Sequence, residues 1–202
     1  MSVLEFKQIS SNERDVFRAK FQAYLEEIDL LVGDSIEPDF HKRYPEYNAY
    51  FAEQPGKEPF HIYYISGTED TTRRVEPIGF FFLNLITPKD FPPPIKSIYD
   101  DESVKVASLT EFYIYSAFRQ KGIAWNFYDA IINLCTDSLN QWHCCFECDA
   151  RNTPAIAFYD KVVERIQKTH KFVAKKEKYQ KAERGGQEYY FYQIKFTDYQ
   201  NA

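Results

Sequence analysis

The feature that most constrains the fold is a strand–turn–helix stretch near the middle of the chain. An apolar, aromatic-rich run ends at Tyr115, the turn Arg119-Gln-Lys-Gly122-Ile-Ala124 follows, and a helical pattern then begins at once. This arrangement presents free backbone N–H groups and the positive end of a helix to an anion. Gly122 favours it, because glycine allows a positive φ or a close approach of the backbone to a ligand. The sequence therefore predicts an anion site in this turn, with added charge from Arg119 and Lys121.

Length and composition indicate one soluble globular domain over residues 1–202. The net charge of −5 provides no global basic surface, so we expect neither nucleic acid nor an acidic membrane as a partner. No apolar run approaches the length of a membrane span and no signal-peptide core is found, which predicts a cytoplasmic location. The aromatic share of 18% indicates aromatic-lined packing or an aromatic-lined pocket, although a codon bias explains it equally well.

Three of the four cysteines crowd into one strand-like segment. Cys145 and Cys148 have the spacing of a redox or zinc pair. A zinc site needs a second pair, however, and a redox pair belongs at a helix start rather than inside a strand. We therefore expect reduced core cysteines and no metal.

Periodicity and turn chemistry predict the remaining elements. In chain order these are a strand at 3–9, a helix from a capping box at Ser10–Glu13 to about Asp29, strands at 60–66, 78–86 and 104–115, a helix at 122–140, a strand at 142–149, a helix from Asn152-Thr-Pro154 to about Lys168, and closing strands at 172–179 and 188–196. Because strands and helices alternate only around residues 104 to 168, the sheet is predicted to be mixed, with a parallel portion there.

Two proline-punctuated segments interrupt this pattern. Residues 33–59 contain four prolines and a short helical candidate near Tyr47, and they fit either a substrate wall or a plain connecting loop. Residues 87–103, with three consecutive prolines, are predicted to form an exposed irregular excursion.

A second motif begins about thirty residues after the turn, at Asn152-Thr-Pro-Ala155-Ile-Ala-Phe158-Tyr159-Asp-Lys161. Together the two motifs resemble the GNAT superfamily of acetyl-CoA-dependent N-acetyltransferases. That family has a Gln/Arg-x-x-Gly-x-Gly/Ala turn after its fourth strand and an Asn-x-x-Ala-x-x-x-Tyr-x-Lys helix start after its fifth. The stretch around Thr110–Ile114 also resembles a bacterial subgroup of undefined substrate.

The resemblance implies an α/β fold of the α+β kind, a mixed sheet of about seven strands with about four helices and with splayed fourth and fifth strands. One departure concerns the end of the second motif. Many members have Gly-Phe soon after Tyr-x-Lys, whereas here Val162-Val-Glu-Arg165 continues the helix. The departure leaves the cofactor motifs intact and concerns the acceptor end of the domain.

The resemblance also implies acetyl-CoA as co-substrate. The fourth strand would contact the pantetheine arm of the cofactor, and the turn would contact its pyrophosphate. The start of the later helix would contact the cofactor as well. The implied residues are Phe112, Tyr113, Ile114, Arg119, Gln120, Lys121, Gly122, Ile123, Ala124, Trp125, Asn152 and Phe158.

The implied chemistry is direct attack of a primary amine on the thioester in a ternary complex, which needs a base for the amine and a proton for the departing thiolate. Glu111 on the fourth strand is the candidate base, with a cross-strand carboxylate as the alternative. Tyr159 is the candidate acid, with a core aromatic as the alternative. An N–H near Ile114 would stabilise the oxyanion.

The acceptor stays open at this stage. A small-molecule amine leads, a protein lysine or N-terminus keeps the same chemistry, and a non-catalytic acetyl-CoA sensor is the third possibility. Glu26, Glu27 and Asp29 fit either an acidic acceptor pocket or a solvated helix face. A homodimer is the commonest state for a soluble oligomer and is possible here.

Overall fold

A seven-stranded mixed sheet accompanied by four α-helices forms the described part of the molecule. A computed structural model describes residues 3–51, 61–68, 77–120, 122–133, 143–169, 172–181 and 186–196. The strands are β1 (Val3–Gln8), β2 (His61–Thr68), β3 (Pro77–Ile86), β4 (Val106–Ile114), β5 (His143–Asp149), β6 (Phe172–Lys181) and β7 (Gln187–Phe196). The helices are α1 (Arg14–Val32), α2 (Phe40–Arg43), α3 (Ile123–Asn133) and α4 (Thr153–Thr169). With the strand order β1-β2-β3-β4-β5-β7-β6, the predicted fold class is confirmed.

The chain groups into two compact units. Unit 1 comprises residues 1–84 and 111–124, and unit 2 comprises residues 85–110 and 125–202. The prediction of one domain over residues 1–202 stays a prediction.

In unit 1, β1, β2 and β3 are antiparallel neighbours, and α1 contributes the largest aromatic stripe. Phe17 and Phe21 of α1 are fully buried, and both pack against Phe80 and Phe82 of β3. The helical spacing of these side chains on α1 predicted this face, because positions four apart lie on one side of a helix. The aromatic side chains of α1 and β3 therefore pack into the core of unit 1.

Both ends of α1 carry recognisable signals. The Ser10 capping box forms as predicted, with the Ser10 N–H donating to Glu13 Oε2 over 3.2 Å. The helix ends at Gly33, whose φ of 78° is left-handed, and the Asp34 N–H then donates to the Asp29 carbonyl over 2.8 Å. The predicted end at Asp29 was thus short, because the glycine rather than the last charged residue ends the helix.

In unit 2, β4 and β5 are parallel. Their registered pairs run from Val106–His143 to Leu109–Phe146, and beyond the last pair β4 continues to Ile114 and β5 to Asp149. The closing hairpin of β6 and β7 is antiparallel and β7 pairs with β5, which confirms the predicted mixed sheet with its parallel portion.

The proline-rich segment before β4 contains one short 3-10 helix, Pro88–Asp90, and is otherwise irregular; much of it is exposed, as predicted, but it also contributes buried side chains. Phe91 and Tyr99 are buried in a core cluster with Val106 and Phe191. Gln193 of β7 is fully buried and fastens the segment, since its amide accepts from the Ile98 N–H over 3.0 Å and donates to the Lys96 carbonyl over 2.9 Å. The segment completes the core of unit 2.

Candidate active site

The second half of β4 is held against β3 by a close approach of two backbones. The Tyr115 N–H donates to the Ile78 carbonyl over 3.0 Å. At Gly79, an added Cβ would collide with the Tyr113 carbonyl oxygen and lie 2.9 Å from Ile114 Cδ1. Glycine at position 79 is therefore required where β4 carries the predicted pantetheine residues. Sequence reasoning did not single it out, because a lone glycine in an apolar strand carries little signal.

Glu111 lies in this part of β4 and is surrounded by tyrosines. Tyr24 of α1 donates its hydroxyl to Glu111 Oε2, and Tyr44 donates to Oε1 over 3.1 Å. The Tyr44 and Tyr50 hydroxyl oxygens are 3.0 Å apart. This set of Glu111, Tyr24, Tyr44 and Tyr50 is called the Glu111 cluster below. It lies within unit 1.

The environment of Tyr44 keeps that phenol neutral. Tyr44 is 7% exposed. Burial raises the pKa of Tyr44 well above its usual range, and the nearby charge of Glu111 raises it further. Tyr44 therefore acts as a hydroxyl that donates or accepts a hydrogen bond and does not ionise near neutral pH.

A second carboxylate, Glu27 of α1, is held differently. It accepts from the Tyr113 hydroxyl and from Arg119 Nη1, the latter over 2.5 Å. Burial raises the pKa of Glu27, but the hydrogen bonds from Arg119 and Tyr113 outweigh it, so the pKa lies below its usual value. The guanidinium also lies 5.0 Å from the centroid of the Tyr113 ring. We call Glu27, Arg119 and Tyr113 the Glu27 cluster.

Asp29 forms a third arrangement at the end of α1. Its carboxylate is 3% exposed and accepts from Arg43 of α2, with Nη2–Oδ1 at 2.5 Å and Nε–Oδ2 at 3.0 Å. It is thus neither part of a solvated helix face nor an unneutralised wall of an acceptor pocket. The third acidic residue considered there, Glu26, is half-buried and accepts from Gln22 over 3.1 Å.

The turn after β4 has a backbone suited to binding an anion. Gln120 and Gly122 both have positive φ values, 63° and 73°. Nothing lies within 4 Å of a Cβ built on Gly122, so the space beside it is open. Ile123 begins α3, and the first N–H groups of a helix have no partner inside it. The predicted anion-binding residues Gly122, Ile123 and Ala124 therefore lie where such groups are available.

Arg119 already makes hydrogen bonds within the protein. Besides Glu27, its guanidinium donates from Nε to the Ile114 carbonyl over 2.8 Å, and its backbone N–H donates to the Ser116 carbonyl over 3.2 Å. A guanidinium has five N–H donors, so further donors remain on this side chain for a direct contact with a pyrophosphate. Lys121, also predicted to bind the cofactor, lies outside the described residues.

The second motif begins α4 in unit 2. The Asn152 side chain caps this helix, because its Oδ1 accepts from the Ala155 N–H over 3.1 Å. An asparagine amide also has two donors on its nitrogen, so the cap leaves the NH₂ group for the predicted contact with pantetheine. The Asn152 side chain can therefore cap the helix and contact the cofactor at the same time.

Tyr159 is 7% exposed and packs in an aromatic group of unit 2. Its ring centroid lies 4.3 Å from that of Phe146 and 6.0 Å from that of Tyr128. Burial raises the pKa of Tyr128 well above its usual range, and the adjacent Tyr159 hydroxyl contributes to the shift. Tyr159 thus has the surroundings of a core aromatic, and its predicted role as an acid stays a prediction.

Trp125 and Phe158, the remaining predicted cofactor residues of unit 2, contact each other. Their ring centroids are 5.1 Å apart, and Arg165 of α4 lies 5.5 Å from the Trp125 ring. In unit 1, Phe112 and Tyr113 are half-buried on β4 and Ile114 is buried. The structure therefore places the predicted residues on the elements that the motifs indicated, while their contacts with a cofactor stay predictions.

The described cysteines have the environment of core residues. Cys144, Cys145 and Cys148 are buried thiols, and burial raises the pKa of Cys145 and of Cys148 to about 12. Within the described ranges no group of three or more metal-ligating side chains occurs. The prediction that no metal is needed is not tested by this. No helix among those residues is long and apolar enough to cross a membrane.

The tyrosines of the Glu111 cluster are what sequence reasoning missed. Tyr24 was predicted as part of the apolar stripe of α1, and Tyr44 and Tyr50 fall in the irregular segment at 33–59. The available signal was the high tyrosine content, which indicated an aromatic-lined pocket but could not say which rings share a carboxylate.

Comparison with known proteins assigns the family. Residues 25–163 match the acetyltransferase (GNAT) family. The fold is similar to that of Arabidopsis thaliana NAA60 in complex with a bisubstrate analogue, at 14% identity and a TM-score of 0.55, with 96% of this chain and 99% of that one covered. It is also similar to spermidine N-acetyltransferase from Vibrio cholerae in complex with CoA and spermine, at 12% identity and a TM-score of 0.55, with 98% and 99% covered. No curated protein matches the sequence significantly.

The chain therefore belongs to the GNAT acetyltransferase family. The family match covers both motifs, so the predicted family and the prediction of an acetyltransferase are confirmed. At 12–14% identity, the two structures show the shared fold and do not identify an acceptor.

Proposed function

We propose that this protein transfers the acetyl group of acetyl-CoA to the primary amine of a small molecule. The observation that carries the proposal is Glu111, placed on β4 and hydrogen-bonded by Tyr24 and Tyr44. A carboxylate in that position provides the base that an ammonium substrate needs before its nitrogen can attack a thioester. The spermidine N-acetyltransferase of V. cholerae, held with CoA and spermine, is an enzyme of this fold with a small-molecule amine.

The residues of the chain fit acetyl-CoA as co-substrate. The open space beside Gly122 and the first N–H groups of α3 suit a pyrophosphate, and the Asn152 amide suits pantetheine. In this proposal Glu111 takes the proton of the amine. The Tyr159 hydroxyl donates a proton to the sulfur of the departing coenzyme A. A C–N bond forms and the C–S bond of the thioester breaks, without a covalent intermediate on the protein.

Titration calorimetry with acetyl-CoA and with CoA tests the first half of the proposal. We expect saturable heat at micromolar to millimolar ligand. Absence of heat at millimolar ligand would overturn the assignment of acetyl-CoA.

A screen of CoA release with polyamines, aminoglycosides, amino acids and peptides tests the second half. We expect turnover with a small-molecule amine. Turnover with peptides alone would move the acceptor to a protein, and binding of acetyl-CoA without turnover of any amine would indicate a non-catalytic acetyl-CoA protein.

A Tyr159→Phe variant tests the acid. It keeps the ring and its contacts, so we expect unchanged affinity for acetyl-CoA and about tenfold or greater loss of kcat. Tyr128→Phe is the matched control, since it removes the neighbouring buried hydroxyl. Equal turnover in wild type and Tyr159→Phe would leave Tyr159 as a core aromatic.

A further inference from the structure

The segment between α1 and β2 delivers two hydroxyls to the Glu111 cluster. Asp39 caps α2 by accepting from the backbone N–H groups of His41 and Lys42 over 3.0 and 3.4 Å. Pro45 then begins a 3-10 helix, Pro45–Phe51. Tyr44 lies between these two elements and Tyr50 lies near the end of the second. The local fold thus fixes both tyrosines on one side of Glu111.

Buried aromatic side chains hold the segment in place. Phe40 and Tyr47 are buried, with ring centroids 4.8 Å apart, and Tyr47 stacks on Phe21 of α1. The Tyr47 hydroxyl donates to the Arg14 carbonyl over 2.6 Å, away from Glu111. Residues 40–51 therefore pack against the core of unit 1.

The donor and the acceptor of each hydrogen bond that links Glu111, Tyr44 and Tyr50 can be assigned. Tyr44 has one hydroxyl proton and donates it to Glu111 Oε1. In the 3.0 Å contact between the two phenols, Tyr50 must then be the donor and Tyr44 the acceptor. Tyr44 is almost fully buried, whereas Tyr50 is only half-buried. The two hydroxyls therefore connect the carboxylate to a residue that is partly exposed.

We propose that Tyr44 and Tyr50 form a proton relay that carries the proton taken up by Glu111 away from it, through the partly exposed residue Tyr50. The proposal rests on the proposed function, since a base that accepts one proton in each turnover must lose it before the next. Once Glu111 is protonated, the two hydroxyls turn so that Glu111 donates to the Tyr44 oxygen, Tyr44 to the Tyr50 oxygen and Tyr50 to water. Glu111 then passes its proton to Tyr44, Tyr44 passes its own to Tyr50, and Tyr50 releases its own to water. One proton enters and one leaves, and both phenols end neutral.

The charges around the cluster are consistent with this transfer. Tyr24 of α1 and Tyr44 face Glu111. Burial lowers the pKa of Arg43 of α2, but its hydrogen bonds with Asp29 and the charges of Asp29 and Glu111 outweigh burial and raise that pKa. Burial also keeps the pKa of Tyr44 above its usual range. The relay therefore works through neutral hydroxyls that exchange donor and acceptor roles, and no phenolate accumulates.

The test uses Tyr50→Phe and Tyr44→Phe in steady-state assays of CoA release. The acceptor is the amine of the screen above that gives the fastest turnover. We expect kcat to fall about tenfold in each variant, because proton transfer becomes rate-limiting, while KM for the amine and Kd for acetyl-CoA stay within about twofold. Tyr50→Phe leaves the Tyr44–Glu111 bond in place, so it isolates the relay from the positioning of Glu111.

A buffer titration separates a relay from a structural role. In Tyr50→Phe, kcat should rise with the concentration of imidazole buffer, since a small base replaces the missing hydroxyl, while wild type should not respond. Tyr47→Phe is the matched control: it removes a hydroxyl of the same segment and core that lies outside the cluster. It should lower the thermal midpoint and leave kcat and its buffer dependence unchanged.

Each outcome decides the proposal. Wild-type kcat in Tyr50→Phe, loss of kcat without a response to buffer, or the same buffer response in Tyr47→Phe would overturn the relay and leave the proposed function standing. Wild-type protein that turns over no amine overturns both.

Discussion

The Glu27 and Glu111 clusters of unit 1 look alike and differ in one chemical respect. Glu27 accepts from a guanidinium and a phenol, whereas Glu111 accepts from two phenols, Tyr24 and Tyr44. A guanidinium only donates hydrogen bonds, while a phenol hydroxyl both donates and accepts. The Glu111 cluster can therefore stay hydrogen-bonded when its carboxylate gains a proton. Protonation of Glu27 would instead abolish its ion pair with Arg119, and this separates a candidate base from a structural ion pair.

Asp29 belongs with Glu27 in this comparison. Arg43 donates to both carboxylate oxygens of Asp29 and so joins α1 to α2, as the hydrogen bond from Arg119 to Glu27 joins α1 to the turn after β4. Both arginine pairs hold elements that flank the Glu111 cluster within unit 1. The ion pairs of Asp29 and Glu27 thus hold the elements around Glu111.

The largest effect is expected when the carboxylate chemistry of Glu111 is removed. Glu111→Gln keeps the shape and one oxygen acceptor, and the phenol that faces the new NH₂ group can accept from it, so the fold should persist while kcat falls about 10²- to 10³-fold. Steady-state CoA release measures it. Glu27→Gln is the matched control and should change kcat less than about threefold. A larger loss of kcat in Glu27→Gln than in Glu111→Gln would reverse the assignment of the two clusters.

The next effect concerns stability. Asp29→Asn leaves the largely buried guanidinium of Arg43 without its counter-charge, which should lower the free energy of unfolding by about 2–3 kcal/mol. Urea unfolding followed by circular dichroism measures it. The kcat of the folded fraction should stay close to that of wild type. If Asp29→Asn retained full stability and lost turnover, Asp29 would belong with Glu111 instead.

How far the sequence predicts these clusters depends on whether a residue follows a local pattern. Arg119, Gly122, Asn152 and Tyr159 occur at motif spacing, so their positions on the turn and at the start of α4 could be predicted together with the order of elements along the chain. The capping box at Ser10 and the aromatic stripe of α1 follow local rules as well.

The tertiary partners could not be predicted, because no local pattern records them. Glu27 and Arg119 are 92 residues apart, and Tyr44 and Glu111 are 67 apart. Their meeting depends on the fold of the irregular segment after α1 and on the close approach of β3 at Gly79. Such contacts come from packing rather than from periodicity, and this is why Arg119 was predicted as a cofactor ligand without its bond to Glu27.

A smaller effect tests the position of Arg119 in the Glu27 cluster. Because its guanidinium is bonded to Glu27 and Ile114, we expect Arg119→Gln to weaken acetyl-CoA binding only about threefold, through a loosened turn. Gly122→Ala places a side chain at a positive φ beside the open space and should weaken binding about tenfold. Calorimetry with acetyl-CoA measures both. The opposite order would show that the guanidinium itself binds the pyrophosphate.

The smallest effect is the pH dependence of stability that Glu27 contributes. Its pKa in the folded protein lies below the usual value of 4.5, so the stabilisation is fully present above about pH 4.5 and is lost as the pH falls through the folded pKa. Glu27→Gln removes that dependence, so wild type should lose more thermal midpoint than the variant between about pH 7 and pH 3. The Glu27 side chain is 38% exposed, so solvent screening limits the difference to about 1–3 °C.

Glu13, whose pKa is lowered to about 2 by hydrogen bonds from Lys7 and Ser10, titrates alike in both proteins and cancels. Parallel curves for wild type and Glu27→Gln would mean that Arg119 and Tyr113 do not hold Glu27 as an ion, and the contrast with Glu111 would then lose its physical basis.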